Sequence, residues 1–319
     1  MSKNNKWTES SVPNLQGKCA LITGANSGIG FETARVMAEK GAQVILACRN
    51  ESKAIQAMSK IRERSPAAQL HFLPLDLSSL QSIRDMAEMF HEQYNQLHYA
   101  INNAGVMWLP QSKTADGFES QFGTNHLGHY ALTGLLLPAI LKTPGSRIVT
   151  VSSIAHTAGN IKFEDLFFER RRYGKQKAYA QSKLANLVFA RELERRLNAN
   201  GAQTISVAAH PGVANTNLAI PGFEQSNSGL MASAMKLLTP IVAQNPVNGA
   251  LPTLYAATAT GVEGGEYYGP DGFYEAYGYP GLAKSTRRSR NPDIGRKLWE
   301  ISESLTGIEY AFDSKKAAA

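Results

Sequence analysis

The chain alternates between short apolar runs and longer stretches in which apolar residues recur with a helical period. Short runs rich in β-branched residues are typical of buried parallel strands, and the longer stretches are typical of helices that cover a sheet. The strand candidates are CALIT at 19–23, VILAC at 44–48, LHFLPL at 70–75, YAINN at 99–103, RIVTVS at 147–152 and TISVAA at 204–209. The helical segments lie near 29–40, 51–65, 80–94, 118–141 and 179–199. This order predicts an α/β fold, a single-domain Rossmann-type doubly wound parallel sheet of about seven strands with helices on both faces.

The predicted domain covers residues 15–310, between an N-terminal extension at 1–14 and a C-terminal tail at 311–319. Two connections, residues 154–178 and 213–245, are longer than usual for an α/β fold. Both contain several large apolar residues, which argues against disorder. We expect them to form substrate loops that wall a pocket.

The composition is that of a globular protein with a basic balance. The 319 residues are 43% hydrophobic and 18% charged, and the formal net charge is +7. Arginines cluster at 170–172, 195–196 and 287–290, but no cluster lies in a recognisable nucleic-acid-binding module. We expect solvated basic faces and no nucleic-acid partner, and such a field would also attract an anionic cofactor.

No stretch reaches the roughly 18–20 consecutive apolar residues of a membrane span. The first residues, MSKNNKWTESSVPNLQGK, contain no apolar signal-peptide core. These features predict no integral membrane span and a cytoplasmic location. Cys19 and Cys48 lie in predicted strands, where a buried, reduced thiol is the commonest state, so no disulfide or metal framework is expected.

A glycine-rich turn, TGANSGIG, connects the first predicted strand to the first helical segment. Gly24, Gly28 and Gly30 permit a tight turn and a close approach of the backbone to a pyrophosphate, next to the unpaired N–H groups of a helix N-terminus. Asn26 and Ser27 add hydrogen-bonding side chains. The alternative is a glycine-rich turn with a purely structural role, but its place between strand and helix favours a dinucleotide site.

The residue after the second strand distinguishes the two nicotinamide dinucleotides. A site for NAD(H) would place an acidic residue here, whereas this chain has Arg49 followed by Asn50. A guanidinium suits a 2′-phosphate, so NADP(H) is favoured over NAD(H). Asp76, after the third strand, could accept a hydrogen bond from an adenine amino group. A solvated arginine and a helix-capping aspartate are the alternatives.

Tyr179 and Lys183 are four residues apart in a segment with a helical pattern, so their side chains emerge from one face. A cation near a phenol favours the phenolate and lowers a pKa that is ordinarily near 10, which suits general acid–base work. Taken alone, the pair could equally be an ordinary tyrosine and lysine on a surface helix.

These motifs together resemble those of the short-chain dehydrogenase/reductase family. TGANSGIG resembles the family's cofactor turn, Asp76-Leu77 its adenine contact, and Asn102-Asn103-Ala104-Gly105 its N-N-A-G motif. The remaining matches are Asn125 in TNHLGHYALT, Ser153 in VSS, Tyr179 with Lys183, and His210-Pro211-Gly212. The matches follow the family's order over residues 15–270, approximately.

The resemblance implies four catalytic residues, Asn125, Ser153, Tyr179 and Lys183. Tyr179 would donate the proton, Ser153 would polarise the substrate oxygen, Lys183 would lower the Tyr179 pKa and hold the nicotinamide ribose, and Asn125 would hold a water. The predicted cofactor-binding residues are Gly24, Asn26, Ser27, Gly28, Ile29, Gly30, Arg49, Asn50, Asp76, Leu77, Asn103, Ala104, Gly105, Tyr179, Lys183, Pro211, Gly212 and Val213. The predicted substrate residues are Ser153, Tyr179, Met107 and Trp108, although the last two could instead only pack beneath the 213–245 loop.

Within the family, ACRN, TNHLGHY, VSSIAH and LWEISESLTG most resemble the retinol-dehydrogenase-like branch. Ser153 and Tyr179 are 26 residues apart, which is longer than the family's common separation but usual in this branch. Ser152 competes with Ser153 for the catalytic assignment, because strand alternation directs only one of them toward the site. The family pattern favours Ser153.

We therefore expect an NADP(H)-dependent oxidoreductase that interconverts an apolar aldehyde or ketone and its alcohol. One alternative is a light-dependent reductase of the protochlorophyllide type, a more distant resemblance, and another is a non-catalytic NADP-binding sensor or scaffold. His126 and His129 flank Asn125, but with no third ligand in the sequence pattern they predict no metal site. A homo-oligomer is possible by analogy with the family, which often pairs the helices carrying Asn125 and Tyr179.

Overall fold

The computed structural model describes residues 6–213 and 245–312. Its centre is an eight-stranded sheet with the strand order β3-β2-β1-β4-β5-β6-β7-β8, in which β8 alone runs antiparallel to its neighbour. The strands are β1 Cys19–Thr23, β2 Gln43–Cys48, β3 Leu70–Pro74, β4 Tyr99–Asn102, β5 Arg147–Val151, β6 Ile205–Ala209, β7 Tyr267–Pro270 and β8 Pro280–Leu282. The predicted Rossmann-type fold is confirmed.

The helices cover both faces of this sheet. They are α1 Gly28–Glu39, α2 Glu51–Arg64, α3 Leu80–Gln93, α4 Gly128–Leu141, α5 Lys175–Ala199, α6 Pro246–Thr258 and α7 Pro292–Thr306. A helical turn at Ser120–Phe122 and a π-helical turn at Gly123–Leu127 lead directly into α4. Side chains of α1, α2 and α6 share one core with the sheet, and those of α3, α4 and α5 share the core on the opposite face.

The alternation of β1 explains why two cores form. Ala20 and Ile22 face the α1 side, whereas Cys19 and Leu21 face the α3 side, and all four are buried. A strand with both faces buried reads as a continuous apolar run, which is why its sequence pattern is so clear. Cys19, like Cys48, is a free and buried thiol, as predicted.

Two strands differ from the prediction. All six predicted strands are present, but β7 and β8 bring the total to eight instead of about seven. The sequences of β7 and β8, YYGP and PGL, are short and contain glycine and proline, residues that weaken strand propensity. β8 is the edge strand and β7 lies next to it, and their short, glycine- and proline-containing sequences give no strand signal.

The C-terminal helix α7 packs across the helices that carry Asn125 and Tyr179. The Trp299 ring lies 5.2 Å from the Tyr130 ring of α4, between ring centroids, and it also stacks on Phe189 of α5. After α7 the Tyr310 hydroxyl donates a 2.6 Å hydrogen bond to the Tyr130 carbonyl. The chain's own C-terminal segment therefore covers this face of α4 and α5.

Candidate active site

The predicted site residues lie at the carboxyl-terminal end of the sheet. Strands β1 to β6 are parallel, so their carboxyl ends lie together, and each is followed by predicted site residues. The strand order reverses between β1 and β4. In the sheet, β2 and β3 lie on one side of β1, whereas β4 and the later strands lie on its other side. Such a reversal opens the crevice in which open α/β sheets bind their ligands.

The glycine turn packs closely against the segment that follows β4. Gly24 and Gly28 have positive φ angles of 66° and 57°, which glycine adopts without strain. A Cβ on Gly30 would lie 2.5 Å from the Gly24 carbonyl oxygen and 2.5 Å from Asn103 Nδ2. The turn therefore needs glycine for its conformation and for its tight packing, while Ser27 begins α1 as its N-cap residue.

Thr23 connects this turn to the β4 loop, which we define as residues 103–110. Its Oγ1 atom accepts hydrogen bonds from the backbone N–H groups of Asn103 and Ala104, at 2.9 and 2.8 Å. The Asn103 side chain donates in return to the Thr23 carbonyl, at 2.8 Å. One buried hydroxyl thus fixes the ends of β1 and β4 relative to each other.

The residues predicted to read the adenosine half follow β2 and β3. Arg49 is exposed, and Asn50 caps α2 by accepting a 2.8 Å hydrogen bond from the Lys53 N–H group. The Asp76 carboxylate accepts hydrogen bonds from the backbone N–H and the hydroxyl of Ser78.

Helix α3 is capped by Ser79, so Asp76 is not its cap, which was the alternative reading. Leu77 beside it is buried, and a Cβ on Gly128 would lie 2.5 Å from the Leu77 carbonyl oxygen. The segment after β3 therefore packs tightly against α4, with the Asp76 carboxylate held at the end of the strand.

Ser153 and Tyr179 approach each other across the gap between β5 and α5. The Ser153 side chain lies within hydrogen-bonding reach of the Tyr179 hydroxyl. Ser152 lies on the other side of the backbone, is buried, and donates a 2.7 Å hydrogen bond to the Lys183 carbonyl oxygen. Of the two serines, the geometry brings Ser153 to the tyrosine.

The pKa of Tyr179 lies above the ordinary value of a phenol, whereas the nearby Lys183 led us to expect a lowered value. Burial raises the pKa of Tyr179 to about 12, and the hydrogen bond with Ser153 acts in the opposite direction. Burial also lowers the pKa of Lys183 to about 8. The Lys183 ammonium lies 5.9 Å from the Tyr179 ring centroid and donates a 3.1 Å hydrogen bond to the Val151 carbonyl. Tyr179 is consequently a protonated phenol at neutral pH.

Asn125 lies in the π-helical turn and holds the β4 loop. Its Oδ1 accepts from the Val106 N–H at 2.7 Å, and its Nδ2 donates to the Val106 carbonyl and to the Ser182 hydroxyl, both at 2.9 Å. A Cβ on Gly105 would lie 3.2 Å from Asn125 Oδ1 and 3.4 Å from Lys183 Nζ. Glycine at this position therefore lets the backbone approach both polar groups.

The turn after β6 is held from the other side. Gly212 has a φ of 68°, and a Cβ there would lie 2.4 Å from the Ala276 carbonyl oxygen. The Val213 N–H group donates to the same carbonyl at 2.8 Å. His210, which precedes Pro211, is buried, and its Nε2 lies 3.2 Å from the Glu275 carboxylate.

Met107 and Trp108 lie half-buried in the β4 loop. Trp108 has a φ of 57°, an uncommon conformation for a bulky residue. Its backbone N–H group donates to Gln121 Oε1 at 2.8 Å. Gln121 Nε2 donates in turn to the Tyr173 hydroxyl and to the Lys175 carbonyl, both at 2.9 Å. Gln121 thus joins the β4 loop to the start of the Tyr179 helix.

The first predicted substrate loop divides into two parts. Apolar residues such as Leu166 and Phe167 pack into a core cluster with α5 and α7. The end of the loop differs, since helix α5 begins at Lys175, four residues before the predicted start at 179. Here a cavity of about 400 Å³ is lined by Pro110, Tyr173, Gly174, Lys175, Gln176 and Lys177. The second predicted loop lies outside the described residues, except for its ends at 213 and 245.

His126 and His129 are both buried and take part in separate hydrogen bonds, His126 with Ser302 and His129 with Thr23. Within residues 6–213 and 245–312, no group of three or more His, Cys, Asp or Glu side chains could hold a metal ion. None of the helices in this part of the chain is long and apolar enough to cross a membrane.

The sequence reasoning missed Thr23 and Gln121. Thr23 stands in the first position of TGANSGIG, so its place next to the glycines was the available signal. Gln121 has no comparable signal, because its partners Trp108 and Lys175 lie in segments that meet only in the folded chain.

The family model described as short chain dehydrogenase matches residues 18–227. The chain belongs to the short-chain dehydrogenase family. Retinol dehydrogenase 12 of Homo sapiens is 43% identical over 301 residues, which cover 93% of this chain and 88% of that protein. Retinol dehydrogenase 13 of Homo sapiens is 39% identical over 302 residues, covering 92% and 86%. The retinol-dehydrogenase-like branch suggested by the motifs is therefore confirmed.

A solved structure of similar architecture is that of an uncharacterised protein from Mycobacterium paratuberculosis. It is 40% identical, it covers 96% of this chain and 100% of that one, and the TM-score is 0.78. The family match and the retinol dehydrogenase relatives make the chain a short-chain oxidoreductase of alcohol and carbonyl groups with a nicotinamide dinucleotide as cofactor.

Proposed function

We propose that this short-chain dehydrogenase uses NADP(H) to interconvert an apolar aldehyde or ketone and its alcohol, with Tyr179 as the acid/base. The observation that carries the proposal is the approach of Ser153 to the buried Tyr179 hydroxyl, one helical turn before Lys183. These groups lie at the carboxyl-terminal end of the sheet, where the glycine turn, the β4 loop and the turn after β6 also lie.

The residues at this end of the sheet fit a nicotinamide dinucleotide. The close packing of Gly24 and Gly30 leaves the N-terminus of α1 directly beside the end of β1, which suits a pyrophosphate. Asp76 would accept a hydrogen bond from the adenine amino group, and the exposed Arg49 would pair with the 2′-phosphate that distinguishes NADP(H) from NAD(H). When bound, the nicotinamide supplies or accepts the hydride.

The protein's own contribution is to hold and move a proton. Because burial raises the pKa of Tyr179 to about 12, the phenol carries its proton at neutral pH and can donate it to a developing alkoxide. The Ser153 Oγ accepts the Ala155 N–H, which leaves its own hydrogen to polarise the substrate oxygen or steady the phenolate. A protonated Lys183 would stabilise that phenolate and hold the ribose, and Asn125 would keep a water within reach of Lys183.

The substrate class is proposed from the walls of the site. Met107 and Trp108 lie half-buried in the β4 loop, which Gln121 joins to Tyr173 near the end of the proposed substrate loop 154–178. The relatives named above are called retinol dehydrogenases, so retinol and its aldehyde are the first substrates to test.

The test is NADPH consumption in the dark by the purified chain, with a panel of apolar aldehydes and ketones that includes retinaldehyde. Turnover with one of them, and a kcat lower by about 100-fold or more with the Tyr179→Phe variant, is the expected result. Binding of NADPH without turnover on any carbonyl would support the sensor or scaffold instead. Reduction that requires light and a tetrapyrrole would support the light-dependent alternative.

Two other expectations stay predictions. One is the cytoplasmic location. The other is a homo-oligomer, and one that used the face of α4 covered by Trp299 and Tyr310 would have to displace these residues. Size-exclusion chromatography with light scattering measures the assembly directly.

A further inference from the structure

His129 lies in α4, one helical turn after Asn125, and its buried ring joins two parts of the proposed cofactor site. Its Nε2 atom is 2.9 Å from Thr23 Oγ1, and its Nδ1 atom is 2.9 Å from the backbone carbonyl oxygen of Asn125. Both ring nitrogens therefore have a partner, and the partners belong to different strands and turns.

The two partners determine which nitrogen carries the hydrogen. A carbonyl oxygen can only accept, so His129 Nδ1 must be the N–H donor to Asn125. Burial lowers the pKa of His129 to about 4, so the ring is neutral at physiological pH and Nε2 is an acceptor. Thr23 must then donate its hydroxyl hydrogen to Nε2. The other acceptor near this hydroxyl, the Ile101 carbonyl oxygen, is farther away at 3.4 Å.

The hydroxyl of Thr23 is fully used in this arrangement. With its hydrogen directed at His129, its two lone pairs face the N–H groups of Asn103 and Ala104, at 2.9 and 2.8 Å. At the other end, the side chain of Asn125 holds Val106 through two hydrogen bonds. The ring of His129 thus connects two of the points at which the β4 loop is fixed.

We propose that His129 is a positioning residue, whose neutral Nδ1–H ring locks the β4 loop and the Asn125 turn in the geometry that receives the nicotinamide end of the cofactor. The proposal rests on the function proposed above. It adds a residue that would touch neither cofactor nor substrate and that acts through Thr23 and Asn125.

His126 provides a matched control. It lies three residues earlier, is equally buried and neutral, and its Nε2 bonds Ser302 of the C-terminal helix α7. Removing either imidazole leaves a defect in the core, in which His126 loses one hydrogen bond and His129 loses two. Only His129 connects to the β4 loop, so only its loss should change cofactor affinity.

In the first experiment, His129→Phe and His126→Phe are titrated with NADPH, and tryptophan fluorescence monitors binding. Thermal unfolding and steady-state kinetics are measured for both variants. We expect the NADPH dissociation constant of His129→Phe to rise about tenfold or more, because Thr23 and Asn125 each lose a buried partner. His126→Phe should also lose thermal stability, but with little change in that constant. Equal NADPH affinities in the two variants would overturn the proposal.

Partial substitutes sharpen the test. His129→Asn places an amide N–H near the Nδ1 position and could restore the bond to Asn125, whereas His129→Gln places an amide oxygen near Nε2 and could restore the bond from Thr23. Each should bind NADPH more tightly than His129→Phe. If His129→Phe does not fold, Thr23→Val replaces it in the test. This variant removes the Thr23 hydroxyl that bonds His129 Nε2, and it should show a similar loss of affinity. Unchanged affinity in Thr23→Val would then overturn the proposal.

The tautomer gives a readout that is independent of activity. Nitrogen-15 NMR of histidine-labelled protein should show His129 as the neutral Nδ1–H form at neutral pH, assigned by its loss in His129→Gln. A neutral Nε2–H form or a protonated ring would contradict the proposal. Failure of the wild-type chain to bind NADPH would instead refute the proposed function, so the two failures are distinguishable.

Discussion

The side chain of Ser153 lies within hydrogen-bonding reach of the Tyr179 hydroxyl, although 26 residues separate them in the sequence. The neighbouring Ser152 lies on the opposite side of the strand end and bonds the Lys183 carbonyl at 2.7 Å. Adjacent serines thus have different partners, as alternation at the end of a strand requires.

Replacing each serine by alanine should separate catalysis from stability. Ser153→Ala removes the group proposed to polarise the substrate oxygen, and we expect kcat/KM to fall about 100-fold with little change in thermal stability. Ser152→Ala removes a buried hydrogen bond instead, and we expect a loss of about 1 kcal/mol in the free energy of unfolding with a smaller kinetic effect. A larger kinetic loss in Ser152→Ala than in Ser153→Ala would reverse the assignment.

Lys183 should give carbonyl reduction its pH dependence. Its ammonium has a pKa of about 8, whereas Tyr179 stays protonated up to about 12. We expect kcat/KM for reduction to be constant at lower pH and to fall as pH rises through about 8, because the ammonium loses its proton. Lys183→Met should be slow at every pH, without that falling limb, and should bind NADPH more weakly. Unchanged NADPH affinity would remove the proposed contact with the ribose.

Arg49 should decide between the two dinucleotides. Arg49→Glu replaces a cation by an anion where the 2′-phosphate is expected, and loss of one charge-assisted hydrogen bond alone lowers affinity about tenfold or more. We therefore expect the ratio of kcat/KM for NADPH over NADH to fall by at least this factor. Arg64→Glu, at the far end of α2, makes the same change of charge on an exposed residue. Equal ratios in the two variants would show that Arg49 does not read the phosphate.

Two of the buried histidines, His126 and His129, predict a loss of stability in acid. Burial lowers the pKa of His126 to about 3 and that of His129 to about 4, from an ordinary 6.5. Below pH 6.5 the unfolded chain binds protons that the folded chain does not, so the free energy of unfolding falls as the pH decreases toward 4. At pH 5 each histidine should account for about 2 kcal/mol.

Urea unfolding at pH 7 and pH 5 measures this loss. His126→Phe should lose less free energy of unfolding between the two pH values than the wild type does, since one of the two groups is removed. An identical pH dependence in the variant and the wild type would contradict the assignment of this loss to the buried ring.

The sequence predicted most of the sheet because buried parallel strands leave continuous apolar runs, as in CALIT. It also predicted where Tyr179 and Lys183 share a helix face. What it could not give are contacts between distant segments. Thr23 lies 80 residues from its partner Asn103, and Gln121 is 54 residues from Lys175, and neither pairing leaves a local pattern. The raised pKa of Tyr179 likewise depends on burial, which only the folded chain reveals.

The most direct test of the account is the turnover of Tyr179→Phe, a variant that loses a single oxygen atom from a buried ring. NADPH consumption should be measured with the best carbonyl substrate of the wild type, together with the NADPH dissociation constant and the thermal midpoint. We expect kcat to fall about 100-fold or more, with folding intact and NADPH affinity nearly unchanged. Near-normal turnover by the folded variant with bound NADPH would contradict the role of Tyr179 as acid/base.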